Sequence, residues 1–584
     1  MMVVRDRHSA RSMLNYSGLS YTKGESKPDL TDLTMGEMVA RTARLYPERP
    51  ALVSRHQGLR YTWAEMDAEV SRLAKAFMAM GVKKGDRVGI WATNCAEWSL
   101  TQFATARMGA ILVNVNTRYR SHELEYALKQ SGCSLLILSR GFGSNDYVES
   151  LYSIAPELRH AVKGHGASPR LPELTKLIFV GDKTPEAMLS WADFRELSAN
   201  ISDEQLEARK KTLSCHDAVN LQYTSGTTGF PKGATLSHHN IVNNGQYVAN
   251  TMKYTAEDSI CIPVPLYHCF GMVLANMSSI NSGAAMVLPA ESFDAEATLK
   301  AVEEERCTSI YGVPTMFIAE FGLPDFENYD LKCLRTGIMA GSNCPIELMR
   351  RVVEDMNCHQ LTTVYGLTES SPGMTQTRVD DSNELRVTTV GRAFPNTEVI
   401  ISEPGTGRIL PLGEVGEICC RGYLVMLGYW NDEKSTRETI EPEGWLHSGD
   451  LGTMDKNGYV RVTGRIKEMI IRGGENIYPR EIEEYLLTCP KVADVQVIGI
   501  PDEKYGEEVM AWVRLKRGKQ MTEDEVKEFC KGQIASYKIP RHVRFVDSYP
   551  ITGSGKIQKF RMREMAVEEM QGGQPIHEAL AQVC

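Results

Sequence analysis

The chain has 584 residues and a net charge of −9, with 42% hydrophobic and 24% charged residues. That length exceeds one compact core and implies two or more domains, and the composition is that of an ordinary soluble globular protein. The acidic balance argues against a general nucleic-acid binder.

The first two dozen residues carry Arg5, Arg7, Arg11 and Lys23 against Asp6 alone, with Ser9, Ser12, Ser17 and Ser20. Residues 1–24 read either as a mitochondrial transit-like leader or as a disordered terminus, so the expected compartment is the mitochondrial matrix, otherwise the cytoplasm. Met66, Val70, Leu73, Ala74 and Phe77 at helical spacing predict a helix over Trp63–Met80. Val88–Ala92, Ile111–Val115, Ser134–Ser139, Ser309–Gly312 and Leu361–Val364 are short apolar or β-branched runs separated by amphipathic stretches. This alternation predicts an α/β body with largely parallel sheets, whose ligand sits at loops beyond the strand ends. Between Asp258 and Glu291 no charged residue occurs. Pro263, Pro265, His268, Asn276 and Asn281 interrupt that stretch, as in buried strand and helix pieces rather than a membrane span.

Fourteen cysteines are scattered without a C-x-x-C, and Cys419-Cys420 is the only adjacent pair. They read as reduced thiols, not as disulfides or a zinc site.

The predicted strand Ala218–Tyr223 runs into Thr224-Ser225-Gly226-Thr227-Thr228-Gly229-Phe230-Pro231-Lys232-Gly233. Glycines let backbone approach a ligand, and four hydroxyls, backbone N–H groups and Lys232 can converge on one anion. The run is either a polyphosphate cradle or a solvated surface loop; it is not Gly-x-x-x-x-Gly-Lys-Ser/Thr. Gly341-Ser342 after an apolar strand is either a plain tight turn or bare backbone for an adenine ring. Tyr365-Gly366-Leu367-Thr368-Glu369 offers Glu369 as an Mg²⁺ ligand or a helix cap, and Thr368 as a donor to phosphate or carboxylate. Asp450, in the expected tight turn Ser448-Gly449-Asp450, suits two ribose hydroxyls or an ordinary turn. Arg465 suits the same ribose, the α-phosphate or a surface ion pair.

Near residue 465 the pattern changes to a small α+β module of about a hundred residues, large enough to fold alone. Pro479 opens a predicted helix, Val492–Ile500 and Glu508–Leu515 are predicted strands, and Thr522 with Glu525 makes a capping box. Thr552-Gly553-Ser554-Gly555-Lys556 puts one lysine on a deformable loop.

Taken together and in this order, these motifs resemble the adenylate-forming superfamily of acyl-CoA synthetases, aryl-CoA ligases, luciferases and peptide-synthetase adenylation domains, over residues 30 to 570. The stretches 233–240, 421–430, 469–479 and 555–560 are similar to the animal mitochondrial ligases of medium-chain fatty acids. The resemblance implies a large N-terminal domain (25–464) with layered, largely parallel sheets. It implies a hinge at 465–467 centred on Lys467, a small mobile C-terminal α+β domain (468–570) and a tail (571–584). The implied substrates are a fatty acid, ATP with Mg²⁺, and coenzyme A, with no nucleic acid and no transmembrane segment.

The implied reaction forms an acyl-adenylate and pyrophosphate, then an acyl-CoA thioester and AMP. By the family pattern Lys556 contacts the carboxylate and α-phosphate, Asp450 and Arg465 hold the ribose, and Tyr365 joins the nucleotide site. Gly473 and Gly474 line the pantetheine path after the small domain rotates. His268 matches an aromatic position beside the acyl group, where it orients or gates rather than acting as a base, unless it is simply a buried histidine. Gly366 stands where acetate-specific members have tryptophan, so the pocket floor is expected to be open, with Tyr311, Gly312, Val313 and Met316 lining it. An aryl-CoA ligase, a carrier-dependent adenylation domain and a non-catalytic nucleotide-binding protein are the competing readings; retention of Glu369, Asp450 and Lys556 counts against the last.

Overall fold

Two mostly parallel sheets share one continuous apolar core with the helices between them. The computed structural model describes residues 17–224, 231–342, 344–473, 475–551 and 557–572. The first sheet runs in the spatial order Leu189–Ser190, Lys176–Phe179, Cys133–Leu138, Arg87–Trp91, Ile111–Asn114, Ala218–Thr224, Lys232–Ser237 and Gly428–Tyr429. It is parallel as far as Ala218–Thr224, after which the last two strands are antiparallel. The second runs from Gln360–Thr362 through Thr336–Met339, Ser309–Gly312, Ser259–Cys261 and Ala285–Leu288 to Pro50–Ser54, all parallel, and closes with antiparallel Leu59–Thr62.

The expected first helix spans Trp63–Ala79, started by a reciprocal Thr62–Glu65 capping box. Met66, Val70, Leu73, Ala74 and Phe77 are all fully buried on it, each such large apolar side chain contributing about 1.5–3 kcal/mol. Helix Ala96–Met108 is buried along every side except at Glu97, so it has no amphipathic stripe to read. Two of its polar side chains are tied to neighbouring elements: Gln102 Nε2 donates to Met272 O at 2.9 Å, and Arg107 pairs with Asp67 at 2.5 Å. The charge-free stretch after Asp258 divides into Ser259–Cys261, a π-helical turn Phe270–Ala275, helix Asn276–Ser282 and Ala285–Leu288. No helix among the described residues is long and apolar enough to cross a membrane.

Two expectations need correction. The run Leu361–Val364 is not one strand. The chain leaves the second sheet after Thr362 and enters a separate three-stranded antiparallel sheet at Val364–Gly366. At the crossing, the Thr363 N–H is taken by Thr377 Oγ1 at 2.9 Å. The expected leader boundary at residue 25 also falls too late. Tyr21–Lys23 pairs with Thr397–Ser402 at the edge of a five-stranded antiparallel sheet, and Ser20 Oγ donates to Pro411 O at 2.8 Å. Residues 1–16 lie outside the described residues.

That five-stranded sheet continues through Gly416–Gly422 and Leu446–Met454 to Val460–Arg465. A 3-10 turn, Ile466–Glu468, follows directly. Beyond it, Ile470–Arg472, Glu475–Ile477, Val492–Asp502, Gly506–Leu515 and His542–Phe545 form one sheet. Helices Pro479–Leu487 and Glu523–Cys530 contribute to an apolar cluster containing Ile482, Leu486 and Val526, and helix Lys559–Met570 to a second containing Trp512, Met562 and Met565. This sheet and its helices thus have apolar clusters of their own, as expected of a separate domain.

Candidate active site

Thr224 ends one strand and Lys232 begins the next, and the two face each other in antiparallel register as the arms of a hairpin. Ser225, Gly226, Thr227, Thr228, Gly229 and Phe230 lie outside the described residues. Thr224 Oγ1 donates to Lys232 O at 3.4 Å, and Pro231 is half-buried. The Lys232 ammonium sits 5.1 Å from the centroid of the Tyr429 ring, an attraction between cation and aromatic face. Tyr429 is held there because Ala234 and Tyr429 pair across the sheet.

Tyr429 in turn donates its phenol proton to Glu369 Oε1 at 2.7 Å. Burial and the adjacent Glu369 carboxylate push that phenol's pKa far up, so it remains a donor at every physiological pH. Glu369 is 8% exposed. Its place is fixed by a tight turn, Thr368–Ser370, whose polar backbone is well occupied. Ser370 Oγ accepts the Leu367 N–H at 3.0 Å and donates to Pro372 O at 2.6 Å. The Met426 N–H donates to Glu369 O at 2.9 Å. Thr368 is half-buried beside it.

Four residues earlier, Tyr365 donates to Asp450 Oδ2 at 2.9 Å, and the Arg465 guanidinium meets Asp450 Oδ1 at 2.8 Å. Asp450 and Arg465 are register partners on neighbouring strands. The expected tight turn is absent: Asp450 lies inside the nine-residue strand Leu446–Met454, and only Gly449, at φ +71°, is left-handed. Glu417 Oε1 accepts the Gly449 N–H at 2.9 Å and Ser448 Oγ accepts the Asp450 N–H at 3.0 Å, which holds this kink. The segment 365–369 therefore joins two charged groups, Asp450–Arg465 at one end and Glu369–Tyr429–Lys232 at the other.

Gly341 follows strand Thr336–Met339 at φ +88°, where a Cβ would come 3.1 Å from Val313 Cγ1; Ser342 beside it is exposed. His268 is half-buried before the π-helical turn, and its Nδ1 accepts the Phe270 N–H at 3.3 Å. Tyr311 is fully buried and donates to Leu274 O at 3.3 Å, while Val313 and Met316 are each 8% exposed in the same core cluster. Gly312 lies where a Cβ would meet the Phe317 ring at 2.7 Å.

Gly366 also has a constraint of its own, beside the expected open floor. A Cβ there would lie 1.8 Å from Pro372 O, so the local backbone itself excludes any side chain.

In the smaller lobe, Gly473 is left-handed at φ +59°, and its N–H donates to Tyr505 O at 2.8 Å. Lys467 is exposed in the 3-10 turn. Gly474 and Lys556 lie outside the described residues. Sequence reasoning gave Tyr429 no role, although it lies in the Arg421–Trp430 stretch that carried the resemblance. Its only sequence signal is an aromatic after Gly428, which acquires meaning once the strand pairing is known.

The family model "AMP-binding enzyme" matches residues 39–430, and "AMP-binding enzyme C-terminal domain" matches 481–556. The chain is 51% identical over 540 residues to YngI of Bacillus subtilis (strain 168), an acyl-CoA synthetase by name, covering 92% of this chain and 98% of that protein. It is 43% identical over 551 residues to the human medium-chain acyl-CoA ligase ACSF2, mitochondrial, covering 94% and 90%. Among solved structures, the anthranilate CoA ligase AuaEII in complex with anthranoyl-AMP superposes with a TM-score of 0.80 at 26% identity, covering 92% of this chain and 98% of that one.

Proposed function

The chain belongs to the AMP-binding enzyme family, and from that premise we propose that it is an AMP-forming acid–thiol ligase. It activates a medium-chain fatty acid with ATP and transfers the acyl group to coenzyme A. The observation that carries this reading is the segment 365–369, which connects a carboxylate suited to a ribose with a carboxylate suited to polyphosphate.

The first half-reaction brings a carboxylate to a polyanion, so charge neutralisation and positioning dominate its barrier. Lys232, beside the hairpin loop, supplies fixed positive charge. Asp450, oriented by Tyr365 and Arg465, is the carboxylate proposed to accept from the ribose hydroxyls. Thr368 is the donor proposed for the acyl carboxylate or a phosphate oxygen. Glu369, a buried carboxylate oriented by Tyr429, fits as the single protein ligand of Mg²⁺, which would neutralise polyphosphate oxygens as pyrophosphate leaves. Gly341-Ser342 offers its backbone to the adenine.

Lys556 delivers the mobile charge in adenylation, and rotation about Lys467 then brings Gly473-Gly474 to the thiol path. In the second half-reaction the thiol attacks the acyl carbonyl and AMP leaves. His268 orients or gates the acyl group rather than acting as a base, because an attacking carboxylate has no proton for a base to remove. Val313, Met316 and the backbone at Gly312 bound the acyl chain, and each buried methylene adds about 0.8 kcal/mol until the pocket ends.

The printed names of the vertebrate relatives, with the basic, serine-rich stretch ahead of strand Tyr21–Lys23, support the mitochondrial matrix as the compartment. Fusion of residues 1–24 to a fluorescent protein tests that reading. The enzymatic reading is tested by pyrophosphate release across straight-chain acids, with and without coenzyme A. Release that peaks at medium-length acids and yields acyl-CoA supports it; no ATP consumption with any acid ends it.

A further inference from the structure

We propose that Glu417, Cys419 and His447 form a binding site for one thiophilic divalent cation, Zn²⁺ above all, on the strand pair that carries Asp450. Glu417 and Cys419 lie two apart on strand Gly416–Gly422, and His447 stands opposite Cys419 on Leu446–Met454. One ligand atom from each residue lies within 4.8 Å of the others. Cys419 Sγ is 3.5 Å from His447 Nδ1, which is 2.8 Å from Glu417 Oε2. Zn–S bonds of about 2.3 Å and Zn–N or Zn–O bonds of about 2.0–2.1 Å set tetrahedral ligand atoms roughly 3.3–3.6 Å apart. Sulfur and nitrogen already stand at that separation, and the nitrogen and the carboxylate oxygen need to part by about half an ångström.

The outer partners match as well. His447 Nε2 lies 2.9 Å from Glu441 Oε1, the carboxylate–imidazole arrangement that orients a metal-bound histidine. Glu417 Oε1 is held by the Gly449 N–H at 2.9 Å, and Cys419 Sγ lies 3.4 Å from Ser402 Oγ. A thiolate, an imidazole and one carboxylate select zinc over magnesium. Cys419 is 1% exposed, but the His447 and Glu441 side chains are 24% and 37% exposed and open one side to solvent. Binding releases two protons to solvent, one from the thiol and one shared between His447 Nδ1 and Glu417, with no change of oxidation state. An E-x-C and a single histidine 28 positions on match no zinc spacing readable in sequence; pairing of the strands brings them together.

The test uses the full chain, metal-stripped and kept reduced with a phosphine. Co²⁺ is expected to bind with one equivalent and a thiolate-to-metal charge-transfer band, and Zn²⁺ to displace it. Cys419→Ser is expected to abolish the band, and His447→Gln to weaken Zn²⁺ at least tenfold. Absence of the band in the native chain, its persistence in Cys419→Ser, or unchanged affinity in His447→Gln overturns the assignment. Should either variant fail to fold, X-ray absorption of the Zn²⁺-loaded native chain decides: one sulfur neighbour at about 2.3 Å is required, and a shell of nitrogen and oxygen alone rejects the site.

Discussion

Tyr429 donates to Glu369 Oε1 at 2.7 Å while its ring face lies 5.1 Å from the Lys232 ammonium. One side chain therefore touches both the proposed metal ligand and the charge that begins the second strand of the hairpin. A hydrogen bond to a charged group is worth about 1.5–3 kcal/mol, so Tyr429→Phe should lower kcat/KM for pyrophosphate release by roughly 10- to 150-fold. The cation–ring contact survives in that variant, and thermal stability should hardly change. Full activity in Tyr429→Phe would remove the phenol from the account.

Gly366 separates two explanations of chain length. The Pro372 carbonyl occupies the space of any Cβ at 366, and forcing a side chain in should cost about 1–3 kcal/mol or more. Gly366→Trp should therefore lose stability and activity toward acids of every length. A folded variant that merely shifts preference to short acids would restore the open-floor explanation. Denaturation midpoints and an acid-length screen measure both.

Lys559 Nζ lies 2.6 Å from Glu483 Oε1 and 3.8 Å from Glu468 Oε2, with its side chain 15% exposed and that of Glu483 8%. Removing one partner of a buried ion pair costs about 3–5 kcal/mol. Lys559→Met should raise hydrogen exchange across residues 468–570 and leave the large lobe unchanged. Adding Glu483→Gln should recover most of the loss, since the uncompensated charge is then gone.

His238 sits at the start of helix His238–Thr251, and its Nδ1 accepts the Met35 N–H at 3.2 Å. Burial pulls its imidazole from 6.5 down to about 4, although Asp217 and Glu37 pull the other way. The unfolded chain thus takes a proton below 6.5 that the folded chain refuses. The stabilisation is complete above pH 6.5, falls as pH drops towards 4, and amounts to on the order of 3 kcal/mol. Urea titrations between pH 7 and 4 should show this slope, and His238→Gln should flatten it.

The two half-reactions should separate genetically. Lys556→Ala should abolish adenylation yet spare thioester formation from pre-made acyl-adenylate. Lys467→Pro, which stiffens the turn Ile466–Glu468, should show the opposite bias. Equal loss of both half-reactions in Lys556→Ala contradicts the two-orientation scheme.

Much of the scaffold was legible locally. The Trp63 helix, the strands at 111 and 309 and the Thr522 capping box are present within a residue or two of expectation, because helix periodicity, β-branching and caps act over a few residues. The run at Leu361 was misjudged because it changes sheets at Thr363. Local preference says that a residue is extended, not which neighbour it pairs with.

By itself the sequence supplied the candidate residues of the site and their order: the Gly/Ser/Thr run before Lys232, then Glu369, Asp450 and Arg465. It did so because glycine-rich loops and isolated charges after apolar strands are readable without knowing their partners. Only the tertiary structure decided that Tyr429 bridges Lys232 and Glu369, that Gly366 is demanded by Pro372, and that Glu417, Cys419 and His447 converge. Strand register sets those contacts, and register comes from pairings made across tens to hundreds of residues.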